Sequence, residues 1–88
     1  MHLDKRYMIT RTFPAGALDG VNADVKTVVN ANNKSVGVTW VHSYANADRT
    51  KTFCVYMGPS EAAVREAARL NSLPVDAVME IPVMLTPQ

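Results

Sequence analysis

The alternation of side chains in the middle of the chain predicts a β-hairpin. Residues 36–44 and 52–57 alternate with a period of two, which is typical of strands, and residues 45–49 between them are predicted to form the turn. Successive strand residues point to opposite faces of a sheet. One predicted face therefore carries Trp40, His42, Tyr44, Thr52, Cys54 and Tyr56, and the other carries Phe53, Val55 and Met57.

The first part of the chain predicts a strand followed by a helix. Residues 5–13 are rich in β-branched and aromatic side chains and end at a Pro-Ala-Gly turn. Apolar residues then recur at helical spacing from Leu18 to Val29. Asp19 is predicted to cap the start of this helix, and the polar residues 30–34 are predicted to end it.

The last part of the chain predicts a second helix and a final strand. Ser60 is a good N-cap, and Glu61 favours the positive end of the helix dipole. The small residues of this helix, which should let it lie close to a sheet, are Ala63, Val64, Ala67 and Ala68. Residues 72–74 are predicted to end the helix, and residues 76–85 to form an edge strand that tolerates Pro82.

The resulting order, β-α-β-β-α-β, predicts an α+β fold of the ferredoxin-like type, in which two helices cover one face of an antiparallel sheet. Its length of 88 residues predicts a single domain over 1–88. We expect the apolar set Phe53, Val55 and Met57 to face the helices, which leaves the Trp40 set on the uncovered face. The orientation of the first strand stays open, because a central strand can be buried on both sides.

An uncovered face with a tryptophan and two tyrosines predicts a partner. Such a patch is unusual on a small monomer, so a second copy packing sheet to sheet is expected, as in dimeric α/β barrels that enclose a ligand. Structural roles are the alternative. Trp40 and Tyr56 are then interface packing, His42 a hydrogen-bonded structural residue, and Cys54 a small buried hydrophobe.

Composition excludes several classes of protein. Hydrophobic residues make up 48% and charged residues 19% of the chain, which is ordinary for a globular protein. The net charge is only +1, and no basic run is present, so neither nucleic acid nor an anionic membrane is an expected partner. The single cysteine permits no intrachain disulfide, and without a secretory h-region the expected location is the cytoplasm.

The sequence contains no motif that identifies a reaction, so no residues are predicted to be catalytic. The chain contains no nucleotide-binding glycine motif, no nucleophile elbow, no zinc-protease motif and no CxxC pair. Its histidines are His2 and His42. The predicted ligand-binding set is Trp40, His42, Tyr44, Cys54, Tyr56 and Arg11.

Two further chemistries stay open beside ligand binding. His42, Cys54 and Glu80 could bind a transition metal such as nickel, copper or zinc. His42 could instead act as a general base with Tyr44 or Tyr56 orienting a substrate, as in cofactor-free monooxygenases and isomerases of the dimeric barrel type. That last hypothesis rests on analogy of fold alone.

Several segments carry a resemblance to a known family. They are Trp40–Tyr44, Lys51–Pro59, Val64–Arg69, Leu73–Pro74 and Glu80. In them the chain resembles a family of short bacterial proteins of unknown function, whose best-described branch is a nickel-binding protein with a dimeric ferredoxin-like fold. The resemblance implies that fold, a homodimer and nickel as a candidate metal.

The resemblance also places individual residues. His42 and Cys54 stand where the nickel-binding branch has histidine and cysteine. That branch carries histidines near the end of its first strand, where this chain has Thr10-Arg11-Thr12. Other members have a Glu-Arg pair there, of which Arg11 is kept and Thr10 replaces the glutamate. The resemblance thus implies half of a nickel ligand set, which a partner subunit could complete.

Overall fold

The computed structural model describes residues 3–88 and has the predicted order of elements. The elements are β1 (Lys5–Thr12), α1 (Ala23–Ser35), β2 (Thr39–Ala45), β3 (Lys51–Gly58), α2 (Glu61–Leu70) and β4 (Ala77–Glu80). The four strands form one antiparallel sheet in the order β2-β3-β1-β4. This strand order fits a ferredoxin-like fold, so the predicted fold class is confirmed.

The central strands show which sheet face the helices cover. On that face the inward residues of β1 pair with those of β3: Tyr7 with Tyr56, Ile9 with Cys54, and Arg11 with Thr52. All six are buried. The apolar set Phe53, Val55 and Met57 therefore lies on the uncovered face, and the predicted assignment of faces was wrong. The small side chains of α2 explain the arrangement, because they leave room for large rings projecting from the sheet.

A β-bulge divides the side chains of β2 between the two faces. Trp40 pairs with Tyr56, but the register then shifts, so His42 pairs with Val55 and Tyr44 with Phe53. An extra residue in one strand reverses the alternation beyond it. Trp40 thus stays on the helix-covered face, whereas His42 and Tyr44 lie on the uncovered face. The prediction that all three share a face with Cys54 and Tyr56 was wrong.

Helix α2 packs closely on the sheet, as its small residues predicted. Ser60 caps its start by accepting a hydrogen bond from the Ala63 amide at 3.1 Å. Its buried residues are Val64, Ala67 and Ala68. A Cβ atom at Gly58 would lie only 3.3 Å from Val64 Cγ2, so this glycine permits the close approach of helix and strand.

Helix α1 begins and ends later than predicted. Its N-cap is Asn22, whose Oδ1 accepts from the Val25 amide at 3.0 Å, and not Asp19. The polar residues 30–34, predicted to stop the helix, form its last turns. They continue the helix because Asn33 is buried there and its Oδ1 accepts a 2.9 Å hydrogen bond from Asn71 Nδ2.

Hydrogen bonds between asparagine side chains hold the C-terminal end of α1. Asn32 Nδ2 donates to Asn71 Oδ1 at 2.9 Å, so Asn71, the C-cap of α2, joins the C-terminal turns of α1 through two hydrogen bonds. In the N-terminal half of α1, by contrast, Val25 and Val28 remain exposed. This half of the helix is therefore loosely packed on the sheet.

Strand β4 is an edge strand, as predicted, but it is shorter than the predicted range 76–85. It ends at Glu80, and the Ile81 amide donates to the Arg6 carbonyl at 2.9 Å. Pro82 follows and has no amide hydrogen to continue the ladder. Within residues 3–88, no helix combines the length and the apolar character needed to cross a membrane.

Two valines on the helices provide a matched test of this packing. Val64 in α2 is 1% exposed and Val28 in α1 is 60% exposed. We expect Val64→Ala to lower the free energy of unfolding by about 2 kcal/mol, through lost burial and a residual cavity. Val28→Ala should change it by less than about 0.5 kcal/mol. Urea denaturation followed by circular dichroism measures both, and equal losses would contradict the packing described.

Candidate functional site

A cavity of about 310 Å³ lies between the sheet and the loosely packed half of α1. Its outer wall is mainly apolar and comes from the segment before α1 and from the helix itself: Phe13, Leu18, Val21, Val25, Lys26 and Val29. Its inner wall is the sheet, with Arg11, Trp40, Thr52, Cys54 and Tyr56. The volume is at the small end of the range of ligand pockets, roughly 300–1,000 Å³.

The structure places five of the six residues predicted to bind a ligand around this cavity. Arg11, Trp40, Cys54 and Tyr56 all line the cavity. Tyr44 borders it at the edge of β2, while its ring packs edge-on against the His42 ring, with centroids 5.2 Å apart. His42 itself is exposed on the uncovered face. The pocket was predicted on the uncovered face, and this cavity lies instead beneath α1.

Arg11 is a buried cation that forms no ion pair with any residue from 3 to 88. Its side chain is 2% exposed, and its Nη1 donates a 2.7 Å hydrogen bond to the Pro74 carbonyl oxygen. Its guanidinium carbon lies 5.8 Å from the centre of the Tyr56 ring, within the range of a cation–π contact. In the described part of the chain, the ion pairs are Arg65–Glu61 and Arg69–Glu66, both on α2.

The other polar groups of the inner wall are a phenol, a thiol, a hydroxyl and an indole. Burial raises the pKa of Tyr56 above its ordinary value, and the nearby Arg11 charge only partly opposes this, so the phenol stays protonated at neutral pH. Cys54 is buried, and its Sγ lies 3.6 Å from Thr52 Oγ1. Trp40 donates from Nε1 to Ser43 Oγ at 2.8 Å. This wall offers one cation, aromatic surface and few free hydrogen-bonding groups.

The predicted metal-ligating set does not assemble within one chain. His42 and Cys54 lie on opposite faces of the sheet, because of the bulge, and Glu80 is on the edge strand opposite Tyr7. Across residues 3–88, no three His, Cys, Asp or Glu side chains are grouped so that they could hold a metal ion. His2 lies outside the described residues. The described residues of one chain therefore do not fit a nickel site.

The hypothesis of a general base also meets a constraint. His42 lies beside Tyr44 but on the opposite face from Tyr56. Only Tyr44 could therefore act together with His42 within one chain.

Sequence reasoning missed the outer wall of the cavity. Leu18, Val21, Val25 and Val29 follow helical spacing, which predicts a helix but no cavity wall. The structure places them on one wall, although the first two precede α1. The available signal was Lys26, a charged side chain within that stripe, together with the low helix propensity of valine.

Comparison with solved structures supports the fold. The crystal structure of SCO4226 from Streptomyces coelicolor A3(2) aligns with a TM-score of 0.70. The alignment covers 91% of this chain and 99% of that chain, at 19% sequence identity. At that identity the likeness shows the fold alone. None of the curated proteins compared with the chain matches it.

Comparison with protein families extends over most of the sequence. The family model described as "Nickel responsive protein SCO4226-like" matches residues 7–81. The match spans every strand and helix except the first two residues of β1. The chain therefore belongs to the nickel responsive protein SCO4226-like family.

Proposed function

We propose that this protein binds a small organic molecule in the cavity beneath α1. The observation that carries the proposal is the meeting of Arg11, Trp40, Cys54 and Tyr56 around a partly open, mainly apolar cavity. Few convergent polar groups within apolar walls are typical of ligand sites. The proposal keeps the predicted binding function and moves its location to the helix-covered face.

The way α1 is attached supports a binding role for the space. Protein interiors are packed closely, and unfilled volume costs stability. Here the C-terminal end of α1 is held through Asn71, while the N-terminal half spans the cavity. A helix held at one end can adjust to an occupant, so a ligand would supply the packing that this half lacks.

We also propose that two copies pair through the uncovered sheet face. Exposed apolar side chains there include Tyr44, Phe53 and Met79, which project from three different strands. A chain of 88 residues has a small core, and burying this surface would add to its stability. The proposed pairing gives a homodimer of the dimeric α/β barrel type.

Nickel binding is a second candidate, favoured by the family description. His42 is exposed on the face that we propose to be the dimer interface. Imidazole is a suitable ligand for nickel, and a two-fold axis would bring the His42 side chains of two copies into one interface. In this form of the hypothesis the ligands come from both copies, and Cys54 does not take part.

Filling the cavity tests the first proposal. Val25 lines it and Val28, on the same helix, does not. A panel of small neutral, anionic and cationic aromatic compounds can be screened by amide NMR spectra. We expect at least one compound to shift the amide signals of lining residues in the wild type. Val25→Phe should abolish those shifts, because the larger ring occupies the space.

Val28→Phe is the matched control and should bind like the wild type. It adds the same ring to the same helix at an exposed position. Undiminished binding by Val25→Phe, or shifts spread over the uncovered face, would contradict a site beneath α1.

A charge on the uncovered face tests the dimer. Phe53 is 40% exposed and lies in β3, near the centre of that face. We expect Phe53→Lys to shift the protein from dimer to monomer at micromolar concentration, since a buried unpaired charge opposes association. Val28→Lys, on the helix side, should leave the dimer intact. Sedimentation velocity measures both, and a monomeric wild type would refute the pairing.

Native mass spectrometry with added Ni(II) tests the second candidate. We expect one nickel ion per dimer in the wild type and none in His42→Ala, because imidazole supplies the ligand atoms. Cys54→Ser should retain the metal. Nickel lost with Cys54→Ser but kept with His42→Ala would contradict a site on the uncovered face.

A further inference from the structure

We propose that the ligand of the cavity is an organic carboxylate whose charged group pairs with Arg11. This inference rests on the proposed function and names the chemical class of the molecule bound. The observation that carries it is that Arg11, a residue 2% exposed, lines the cavity and has no acidic partner in the described part of the chain.

A buried charge normally has a partner of opposite sign. Removing a cation from water is costly, and proteins offset the cost with ion pairs or several hydrogen bonds. Arginine has five N–H donors, and Arg11 uses one of them in its contact with the Pro74 carbonyl oxygen. The guanidinium therefore keeps donors for a further acceptor.

Asp76, an acidic residue whose backbone pairs with β1 beside Arg11, has its carboxylate engaged elsewhere. Asp76 donates its amide hydrogen to the Thr10 carbonyl oxygen, beside Arg11 in β1. Its Oδ2, however, accepts a hydrogen bond from the Thr12 hydroxyl, and its side chain is exposed. Asp76 thus leaves the Arg11 charge uncompensated.

The charged side chains that line the cavity are both positive. Arg11 in the inner wall and Lys26 in the outer wall are its charged residues, and no Asp or Glu lines the space. A cationic ligand would be repelled by both. An anion would be attracted by both, and a carboxylate matches the planar fork of an arginine with two parallel hydrogen bonds.

The rest of the lining defines the body of the ligand. Phe13, Leu18, Val21 and Val25 form an apolar wall opposite the aromatic surface of Trp40 and Tyr56. The fitting molecule is a monocarboxylate with a compact apolar or aromatic body, of a size set by a cavity of about 310 Å³.

Two probes that differ in charge alone test this inference. Hydrocinnamate carries a phenyl group and a carboxylate, and hydrocinnamamide is its neutral counterpart. Trp40 is the single tryptophan and lines the cavity, so its fluorescence reports binding. At neutral pH we expect the wild type to bind the acid at least about tenfold more tightly than the amide, the scale of a charged hydrogen bond.

Two variants assign the preference to residues. Arg11→Met should bring the affinities for acid and amide to within about twofold of each other, since it removes the buried charge and keeps a similar apolar length. Lys26→Gln, at an exposed position, should reduce the preference by only about two- to threefold. The ratio of the two affinities is the readout, because a general loss of structure would weaken both probes alike.

The outcomes separate this inference from the proposed function. Equal binding of acid and amide by the wild type overturns the carboxylate assignment and leaves the cavity as a binding site. A preference that survives Arg11→Met overturns the role of Arg11. Binding of neither probe, together with no response to the wider compound panel, overturns the proposed function as well.

Discussion

The close packing of α2 on the two central strands is the contact on which the other features of this fold depend. Val64, Ala67 and Ala68 bring the helix near the sheet, above Gly58. Their small volume leaves room for large side chains from the sheet. Tyr7 and Tyr56 therefore point toward the helices, and so do the residues that alternate with them along β1 and β3 on the same face. Because side chains alternate along each strand, this orientation also buries Arg11 and Cys54. It leaves Phe53 and Met57 on the uncovered face.

The two helices contribute differently to stability, and in our proposal only α1 takes part in binding. Helix α2 supplies the well-packed core, whereas α1 is held at its C-terminal end by Asn71 and spans a cavity with its other half. The cavity then places a buried cation beneath apolar walls. A molecule with a carboxylate and an apolar body would compensate both the charge and the empty volume. The family relationship adds nickel as a separate hypothesis on the opposite face, where His42 lies.

Much of this fold could be predicted from periodicity alone, and the site only in part. Helix and strand spacings indicated all six elements and their order, and the small residues of α2 indicated close packing. The distribution of the β2 side chains between the two sheet faces could not be predicted. The strand Thr39–Ala45 contains no glycine or proline to mark its bulge. One inserted residue was enough to separate His42 from Cys54. The end of α1 was missed because a run of asparagines usually ends a helix, and here a long-range contact to Asn71 overrides that local preference.

The proposed binding of a small molecule between α1 and the sheet can be observed at atomic resolution. Isotope-filtered nuclear Overhauser spectra of the labelled protein with unlabelled hydrocinnamate test it most directly, because they report which protons lie close to the ligand. We expect cross-peaks from the phenyl protons to Trp40, Leu18 and Val25, which line the cavity from both walls. Cross-peaks to Phe53 and Met79 instead would place the ligand on the uncovered face and contradict the account.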